Sequence, residues 1–324
     1  GHSHTVMENK QVQDASGKAV TLTQTGSYFA NVGEMTIAAD GTITTKLIPT
    51  HEGMDATIAA MQTGWVNTVD DMLGEKIAVG DSDFYVSDPA TGKRRIRSAE
   101  TNLGDFVADG IYTYFNEVEK LHCDVAIMNG GGIRADVPAG DWTFKTCKQV
   151  SPFGNVACLM SVTGKQIQDA LEFAARFAGE GGKENGGFLQ VAGATYEIHT
   201  EIPNTVQTDE KNVWIGSATG TPRVQNVKIY DKASGSYLPL DPGATYALAG
   251  MTYPLRNRGD GFAMFDGAEL ITDYVSEDYL VMSTYALSFG GVDGEGLPHL
   301  ATANSPLADY PGYLLDYENP YGAG

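Results

Sequence analysis

The stretch Cys123-Asp-Val-Ala-Ile-Met-Asn-Gly-Gly-Gly-Ile-Arg134 joins a short apolar strand directly to a run of three glycines. Glycine adopts positive φ freely and leaves its backbone N–H groups uncovered, so a ligand can approach the main chain closely. Arg134 follows with a planar set of donors that suits phosphate or carboxylate. The alternative is a tight turn with a surface arginine, and this stretch alone does not decide between them. It matches neither a Walker loop nor the dinucleotide-binding fingerprint.

Helical and strand patterns alternate on both sides of this stretch. Apolar residues recur every three or four positions in several segments, which predicts amphipathic helices over 55–73, 102–119, 163–178 and about 272–288. Gly and Asp-Gly turns separate short strands predicted at 20–25, 32–38 and 42–48. Further strands dominate from 189 to 250. Elements mixed in this way predict an α/β (mixed α+β) fold, preceded by a β remnant.

The charge balance limits the partners of the chain. The sequence has 21 Lys plus Arg against 41 Asp plus Glu, a formal net charge of −20. Such a surface repels nucleic acid polymers and anionic membranes, and no apolar run is long enough for membrane insertion. Any anionic ligand must therefore be held by a few arginines or backbone N–H groups. The three cysteines lie in or beside apolar segments, so we expect buried free thiols at Cys123, Cys147 and Cys158.

Two further segments have side chains suited to a nucleoside. In Ser151-Pro-Phe-Gly-Asn155, Phe153 can present its ring to a flat heterocycle, and Asn155 offers a donor and an acceptor; the alternative is a core phenylalanine beside a turn. In Arg258-Gly-Asp-Gly-Phe262, which follows Tyr253, Asp260 is either a turn former or an exposed acceptor for two sugar hydroxyls.

A fourth segment places an arginine before a helix start. Arg97 precedes the helix predicted from Asn102, and there it could hold an anion. Arg94 and Arg95 stand beside it, so a solvated loop arginine is the alternative interpretation.

Taken in order, these segments resemble the C-terminal domain of the 5'-nucleotidase family, which has Asn-Gly-Gly-Gly-Ile-Arg, Pro-Phe-Gly-Asn and Gly-Asp-Gly turns. Residues 188–193 and 238–242 also resemble family segments, and the match spans about 55–290. The resemblance implies a four-layer α/β/β/α-type substrate-binding domain over 81–324. Residues 51–80 would be the linker helix, and residues 1–50 the end of a metallophosphatase domain.

The resemblance also implies a role for each candidate residue. Phe153 and an aromatic near Asp260 would sandwich the base, with Tyr253 as the candidate. Asn155 and Asn129 would bond the base, and Asp260 the ribose hydroxyls. The phosphate would be held by Arg97 and Arg134, and Gly131 belongs to the same site.

The sequence departs from the family pattern at two positions of this site. Arg258 replaces the first glycine of the family's Gly-Gly-Asp-Gly, and Tyr253 lies seven rather than six residues before the aspartate. The second departure makes Tyr253 a less certain sandwich partner than Phe153.

The start of the chain resembles the end of the family's catalytic domain. Gly1-His2-Ser3-His4 matches a Gly-His-x-His segment, so His2 and His4 would be remnant ligands of a two-metal centre; the alternative is a tag. The other ligand motifs are missing, and a two-metal site needs several carboxylate and imidazole ligands. We therefore expect a fragment with no cofactor of its own. Its parent would hold two divalent metal ions in an N-terminal catalytic domain that is missing here.

Three hypotheses for function follow. In the first, the chain is the nucleotide-specificity domain of an extracellular, periplasmic or cell-surface 5'-nucleotidase, binds a nucleoside or nucleotide, and is inactive alone. In the second, the parent hydrolyses 2',3'-cyclic nucleotides or nucleotide sugars. In the third, the domain is a non-catalytic surface binding module. The intact Pro-Phe-Gly-Asn turn favours the first hypothesis over the second, and the Gly1–Thr5 ending argues against the third.

Overall fold

The structure is a computed structural model that describes residues 5–50, 53–179 and 183–323. The chain forms two compact units, residues 1–68 and 69–324. Among the residues described, no helix combines the length and apolar character needed to cross a membrane.

The first unit is built from two antiparallel hairpins. Strand β1 (Val6–Gln13) pairs with β2 (Ala19–Thr25), and β3 (Asn31–Ile37) pairs with β4 (Ile43–Pro49). The strands predicted from the sequence match these bounds to within one residue. Helix α1 (Ala56–Leu73) begins in this unit and ends in the second. No described residue of the first unit is fully buried.

The second unit mixes helices and strands along the chain. Its helices are α2 (Asn102–Thr113), α3 (Phe144–Val150), α4 (Gly164–Ala174), α5 (Thr252–Leu255) and α6 (Asp278–Leu287). Its strands are β5 (Lys76–Gly80), β6 (Val125–Asn129), β7 (Gly140–Thr143), β8 (Ala157–Thr163), β9 (Leu189–Ala192), β10 (Ala194–Ile198), β11 (Gln207–Thr208), β12 (Trp214–Gly216), β13 (Val224–Asp231), β14 (Ser236–Pro239), β15 (Thr245–Met251), β16 (Glu269–Thr272) and β17 (His299–Leu300).

A five-stranded sheet with the order β16-β8-β15-β6-β9 forms the centre of this unit. Strands β15 and β6 are parallel, and the other neighbours are antiparallel. Successive side chains of a strand point to opposite faces, and both sets are buried in β6: Val125 and Ile127 on one face, Ala126 and Met128 on the other. Both faces of the sheet are therefore covered, which explains the continuous apolar run of the sequence.

The two faces are covered by different elements. One core contains side chains of α2, α3 and α6, and the other contains side chains of α4 and of β13, the middle strand of the sheet β10-β13-β14. The mixed α/β class predicted from the sequence is confirmed. All three cysteines are buried and free, as expected.

The helix predictions differ from the structure mainly at helix ends. The helix predicted over 102–119 changes at Tyr114 into a π-helical turn that ends at Val118. The start predicted near 272 is wrong, because residues 269–272 pair with β8 as strand β16. Helix α3 was not predicted. It is only seven residues long and depends on a capping box, in which Thr143 and Thr146 bond each other's backbone N–H groups.

Candidate functional site

The site lies at one edge of the central sheet, where three loops meet. Strands β6 and β15 are parallel, so the glycine turn after β6 and the segment after β15 leave the sheet at the same edge. Strand β8 runs antiparallel to β15 with Ala157 opposite Met251, so the loop that leads into β8 reaches that edge too. The sheet topology therefore brings the glycine turn beside a segment that follows it in the sequence by more than one hundred residues.

The glycine turn packs tightly against the segment that precedes β9. The N–H groups of Gly130 and Gly131 donate to the carbonyls of Phe188 and Gly186, each at 2.7 Å. A Cβ atom at Gly130 would lie 2.2 Å from the Ile96 carbonyl oxygen, so only glycine fits there. The expectation that this turn leaves its backbone N–H groups uncovered for a ligand is wrong for both residues. These glycines allow close packing instead.

Asp260 links two of the other candidate residues. Its carboxylate accepts a hydrogen bond from the Asn129 amide at 3.0 Å and one from the Tyr253 hydroxyl at 3.3 Å. The Asp260 backbone is left-handed, with φ of 53°. Residues other than glycine rarely adopt this conformation, and where they do, they often belong to functional sites. Gly259 packs against the Tyr253 ring, since a Cβ atom there would lie 2.6 Å from it.

Arg258, which stands where the family has a glycine, is also left-handed, with φ of 53°. A long side chain is strained in this conformation, whereas glycine is not. The Arg258 guanidinium makes a two-pronged ion pair with Asp266, at 2.6 and 2.9 Å. That ion pair holds the side chain in place and offsets part of the strain.

Two buried polar atoms of the site have no partner in the described protein. Asn129 is 3% exposed, and its side-chain oxygen accepts no hydrogen bond. The Arg97 Nε atom is likewise buried without an acceptor. A buried polar atom without a partner costs about 1–3 kcal/mol, so native proteins satisfy nearly all of them. A ligand that donates to Asn129 and accepts from Arg97 would remove both costs.

Arg97 and Arg134, the two candidate phosphate-binding residues, lie close enough to influence each other. Burial lowers the pKa of Arg97, and the positive charges of Arg94 and Arg134 lower it further. The Arg97 guanidinium lies 3.7 Å from a carboxylate oxygen of Glu184. Arg134 donates to the Gly131 carbonyl oxygen at 3.3 Å and lies 5.6 Å from the centre of the Phe153 ring.

The aromatic candidates are accessible. Phe153 is 56% exposed and Tyr253 is 38% exposed. Phe153 is therefore not the core phenylalanine of the alternative interpretation, and most of its surface is open to a ligand. Both residues are placed by neighbouring main chain, since the Thr252 N–H donates to the Val156 carbonyl at 2.8 Å.

Asn155 is partly committed to the protein. Its backbone N–H donates to the Asp278 carboxylate at 3.1 Å, and its side-chain amide reaches the same oxygen at 3.5 Å. The Asp278 N–H in turn donates to the Asn155 carbonyl at 2.8 Å. These bonds anchor the start of α6, so contact with a base stays a prediction for Asn155.

The structure joins Asn129, Asp260 and Tyr253 by hydrogen bonds, and it places Arg134 against Gly131 and Phe153. His2 and His4 lie outside the described residues. The sequence analysis did not identify Glu184, which contacts Arg94 and Arg97. It also gave Arg94 no role in the site, although Arg94 lies 3.5 Å from Glu184. The sequence signal that could have identified Glu184 is its position directly before Asn185-Gly-Gly. This run leads into residues 188–193, which resemble a family segment.

A cavity of about 620 Å³ lies elsewhere in the second unit and shares none of the candidate residues. Strands β9 and β10 line it, together with Glu100, Asp105 and Asp109. Burial raises the pKa of Asp105 well above its ordinary value and that of Asp109 to about 7. None of the candidate residues predicted from the sequence lines this cavity, so we place the candidate site at the sheet edge.

A family model described as "5'-nucleotidase, C-terminal domain" matches residues 78–267, which is more than half of the chain. The chain belongs to this family. The 5'-nucleotidase resemblance inferred from the three glycine-containing turns is confirmed, and so is the predicted fold class.

Individual proteins of this kind are similar over most of the chain. A trifunctional nucleotide phosphoesterase, YfkN of Bacillus subtilis, is 30% identical over 302 residues, which cover 90% of this chain and 18% of that protein. A 5'-nucleotidase of Vibrio cholerae is 29% identical over 212 residues, covering 65% of this chain and 29% of that protein. The chain therefore spans less than a third of either relative.

A solved structure shows the same likeness in three dimensions. The 5'-nucleotidase precursor of Thermus thermophilus superposes with a TM-score of 0.60 at 26% identity, over 93% of this chain and 58% of that one. The chain thus spans somewhat more than half the length of that 5'-nucleotidase precursor.

Proposed function

We propose that this domain binds nucleoside 5'-phosphates as the substrate-specificity part of a secreted 5'-nucleotidase. The observation that carries the proposal is the pair of unpartnered buried atoms, Asn129 Oδ1 and Arg97 Nε, inside a connected set of polar and aromatic residues. A nucleotide has donors on its base, hydroxyls on its ribose and acceptors on its phosphate. Membership of the 5'-nucleotidase family agrees with this class of ligand.

Each part of the nucleotide has a complementary group in the proposal. The exposed rings of Phe153 and Tyr253 stack on the base, an interaction worth roughly 1–3 kcal/mol per base. Asp260 accepts from the ribose hydroxyls beside its present contacts with Asn129 and Tyr253, since an ionised carboxylate has about four acceptor positions. Arg97 and Arg134 hold the phosphate through charge-assisted hydrogen bonds.

Hydrolysis would depend on the rest of the parent enzyme. Among residues 5–50, 53–179 and 183–323, no group of three or more His, Cys, Asp or Glu side chains is arranged to hold a metal ion. The described residues therefore do not fit the two-metal centre that the family resemblance implies. In the proposal, the parent's catalytic domain supplies two divalent metal ions, and this chain binds and orients the substrate.

The inactivity of the chain alone is directly testable. Purified protein should release no phosphate from AMP with or without added Mn²⁺, Zn²⁺ or Mg²⁺, as measured by a colorimetric phosphate assay. Turnover in the usual enzymatic range of roughly 1–10³ per second would show that the chain contains a complete catalytic site.

A broader substrate range is the second candidate. The similarity to a protein named a trifunctional nucleotide phosphoesterase favours it. Titration with 2',3'-cyclic AMP and with AMP distinguishes the two candidates. A 5'-monophosphate site in which Asp260 accepts from free ribose hydroxyls should bind the cyclic ester at least tenfold more weakly than AMP. This factor corresponds to the loss of about one charge-assisted hydrogen bond.

The stacking role of Phe153 provides the test of nucleoside binding. Phe153→Ala should lower adenosine affinity by about 5- to 150-fold, the equivalent of one stacked base. Calorimetry measures the affinity, and circular dichroism and thermal unfolding check that the fold is intact. Leu314→Ala removes another exposed apolar side chain, away from the site, and should leave the affinity unchanged. Equal adenosine affinity in the wild type and Phe153→Ala would exclude stacking on this ring.

A further inference from the structure

Glu184 places a carboxylate between two arginines at the proposed phosphate position. Its Oε2 atom lies 3.5 Å from an Arg94 nitrogen and 3.7 Å from an Arg97 nitrogen. Arg97 is the more enclosed of the two arginines, with 20% of its side chain exposed against 43% for Arg94. A negative side chain at a site built for an anion calls for an explanation.

The main chain fixes the position of Glu184. The N–H group of the next residue, Asn185, donates to the Arg97 carbonyl at 2.9 Å. Asn185 is 7% exposed, and its side-chain amide donates to the Ala174 carbonyl at 2.8 Å. Glu184 is thus held beside Arg97 by its anchored neighbour.

The same segment forms a wall of the candidate site. Two residues after Glu184, the Gly186 carbonyl accepts from the Gly131 N–H at 2.7 Å. The Asp260 carboxylate lies next to Gly186, 3.4 Å from where a Cβ atom would stand. A ligand held by Asn129 and Asp260 would therefore extend its 5' substituent toward the arginines that Glu184 contacts.

We infer that Glu184 is a specificity-determining residue that favours nucleoside monophosphates over di- and triphosphates. The inference rests on the proposed function. Without a ligand, Glu184 offsets the repulsion between Arg94 and Arg97. A monophosphate takes over its contact with Arg97, whereas each further phosphate group adds negative charge near the Glu184 carboxylate, whose backbone is held beside Arg97 through Asn185. Affinity for the 5' substituent is thereby reduced, and the reduction grows with the charge of that substituent.

Glu184→Gln tests this inference, since it removes the charge and keeps the shape. In titrations of the 324-residue chain without metal, AMP affinity should rise about three- to fivefold, as expected for one partly exposed charge pair. ATP affinity should rise by at least a further threefold, and adenosine affinity should stay within about twofold of the wild type, because adenosine is neutral. Higher salt should shrink the gain.

The matched control is Glu119→Gln, which changes the net charge equally. Glu119 follows α2 and its π-helical turn, some 17 residues and about 25 Å along the helix axis from the end near Arg97. AMP affinity should not change in this variant. An equal gain in both variants, or a parallel gain for adenosine in Glu184→Gln, would overturn the inference.

Pyrophosphate separates this inference from the proposed function, because it contains no nucleoside. A wild type that binds no adenosine contradicts the proposed nucleoside site. An unchanged pyrophosphate affinity in Glu184→Gln contradicts the role of Glu184, whatever adenosine does.

Discussion

Removing the Arg97 guanidinium should weaken AMP binding far more than adenosine binding. Among the described residues, the Arg97 side chain has no hydrogen-bond partner. Its Nε has no acceptor, and the 3.7 Å from its guanidinium to the Glu184 carboxylate oxygen is too long for a hydrogen bond. Its donors are therefore available to a phosphate. A hydrogen bond to a charged group contributes about 1.5–3 kcal/mol, so Arg97→Ala should lower AMP affinity by about 10- to 150-fold. Adenosine, which has no phosphate, should lose less than about twofold.

The assay is a pair of calorimetric titrations, AMP and adenosine, for each variant. Arg95→Ala is the control, because the Arg95 Nε donates to the Glu100 carbonyl at 2.7 Å and its guanidinium lies 4.8 Å from the centre of the Tyr321 ring. Arg94 does not serve as a control, because it shares the Glu184 contact. Arg134→Lys should restore only part of the AMP affinity lost in Arg134→Ala, because an ammonium cannot reproduce the planar fork.

If Arg95→Ala weakens AMP binding as much as Arg97→Ala does, the arginines act through diffuse electrostatics on a chain of net charge −20, and Arg97 makes no specific contact with the phosphate. A loss of adenosine binding in Arg97→Ala that equals the loss of AMP binding would also contradict a phosphate contact. Thermal unfolding of each variant distinguishes that result from a general loss of structure.

Two predictions concern stability, measured by urea unfolding. Arg258→Gly should be more stable than Arg258→Ala by about 1 kcal/mol, because both lose the ion pair with Asp266 and only glycine is free of strain at φ of 53°; equal stabilities would contradict the left-handed backbone. Burial raises the pKa of Asp109 from 3.8 to about 7, so the folded state keeps a proton that the unfolded state releases. The contribution of Asp109 to the free energy of unfolding therefore decreases as the pH rises from about 4 to 7. Over that range the free energy of unfolding of Asp109→Asn should increase by up to about 4 kcal/mol relative to that of the wild type. Parallel pH profiles would show that this carboxyl titrates normally.

Local patterns in the sequence were sufficient to predict much of the fold. The apolar run before Asn129 predicted strand β6, and the three- and four-residue periodicity located α1, α2 and α4. The periodicity of apolar residues could not predict helix α3 or the start of α6. A seven-residue helix is too short to show a period, and β16 at 269–272 is set by pairing with β8 more than one hundred residues away.

The candidate site was predicted through motifs and family resemblance rather than through geometry. The sequence could point to Asn129 and Asp260, but their contact at 3.0 Å joins positions 131 residues apart. Glu184 and Arg97 are also far apart in sequence, and the bond from the Asn185 N–H to the Arg97 carbonyl that brings them together leaves no local pattern. Interactions between distant backbone segments therefore account for what the sequence did not reveal.

The Asp260 carboxylate, held between the Asn129 amide and the Tyr253 hydroxyl, has a consequence for the speed of capture. These three side chains are already ordered before a ligand arrives, so encounter need not wait for a loop to fold. Complexes that form without rearrangement typically associate at about 10⁵–10⁷ M⁻¹s⁻¹ and differ among variants mainly in how fast they dissociate. Changes at this site should thus appear in the residence time of the nucleoside rather than in its rate of arrival.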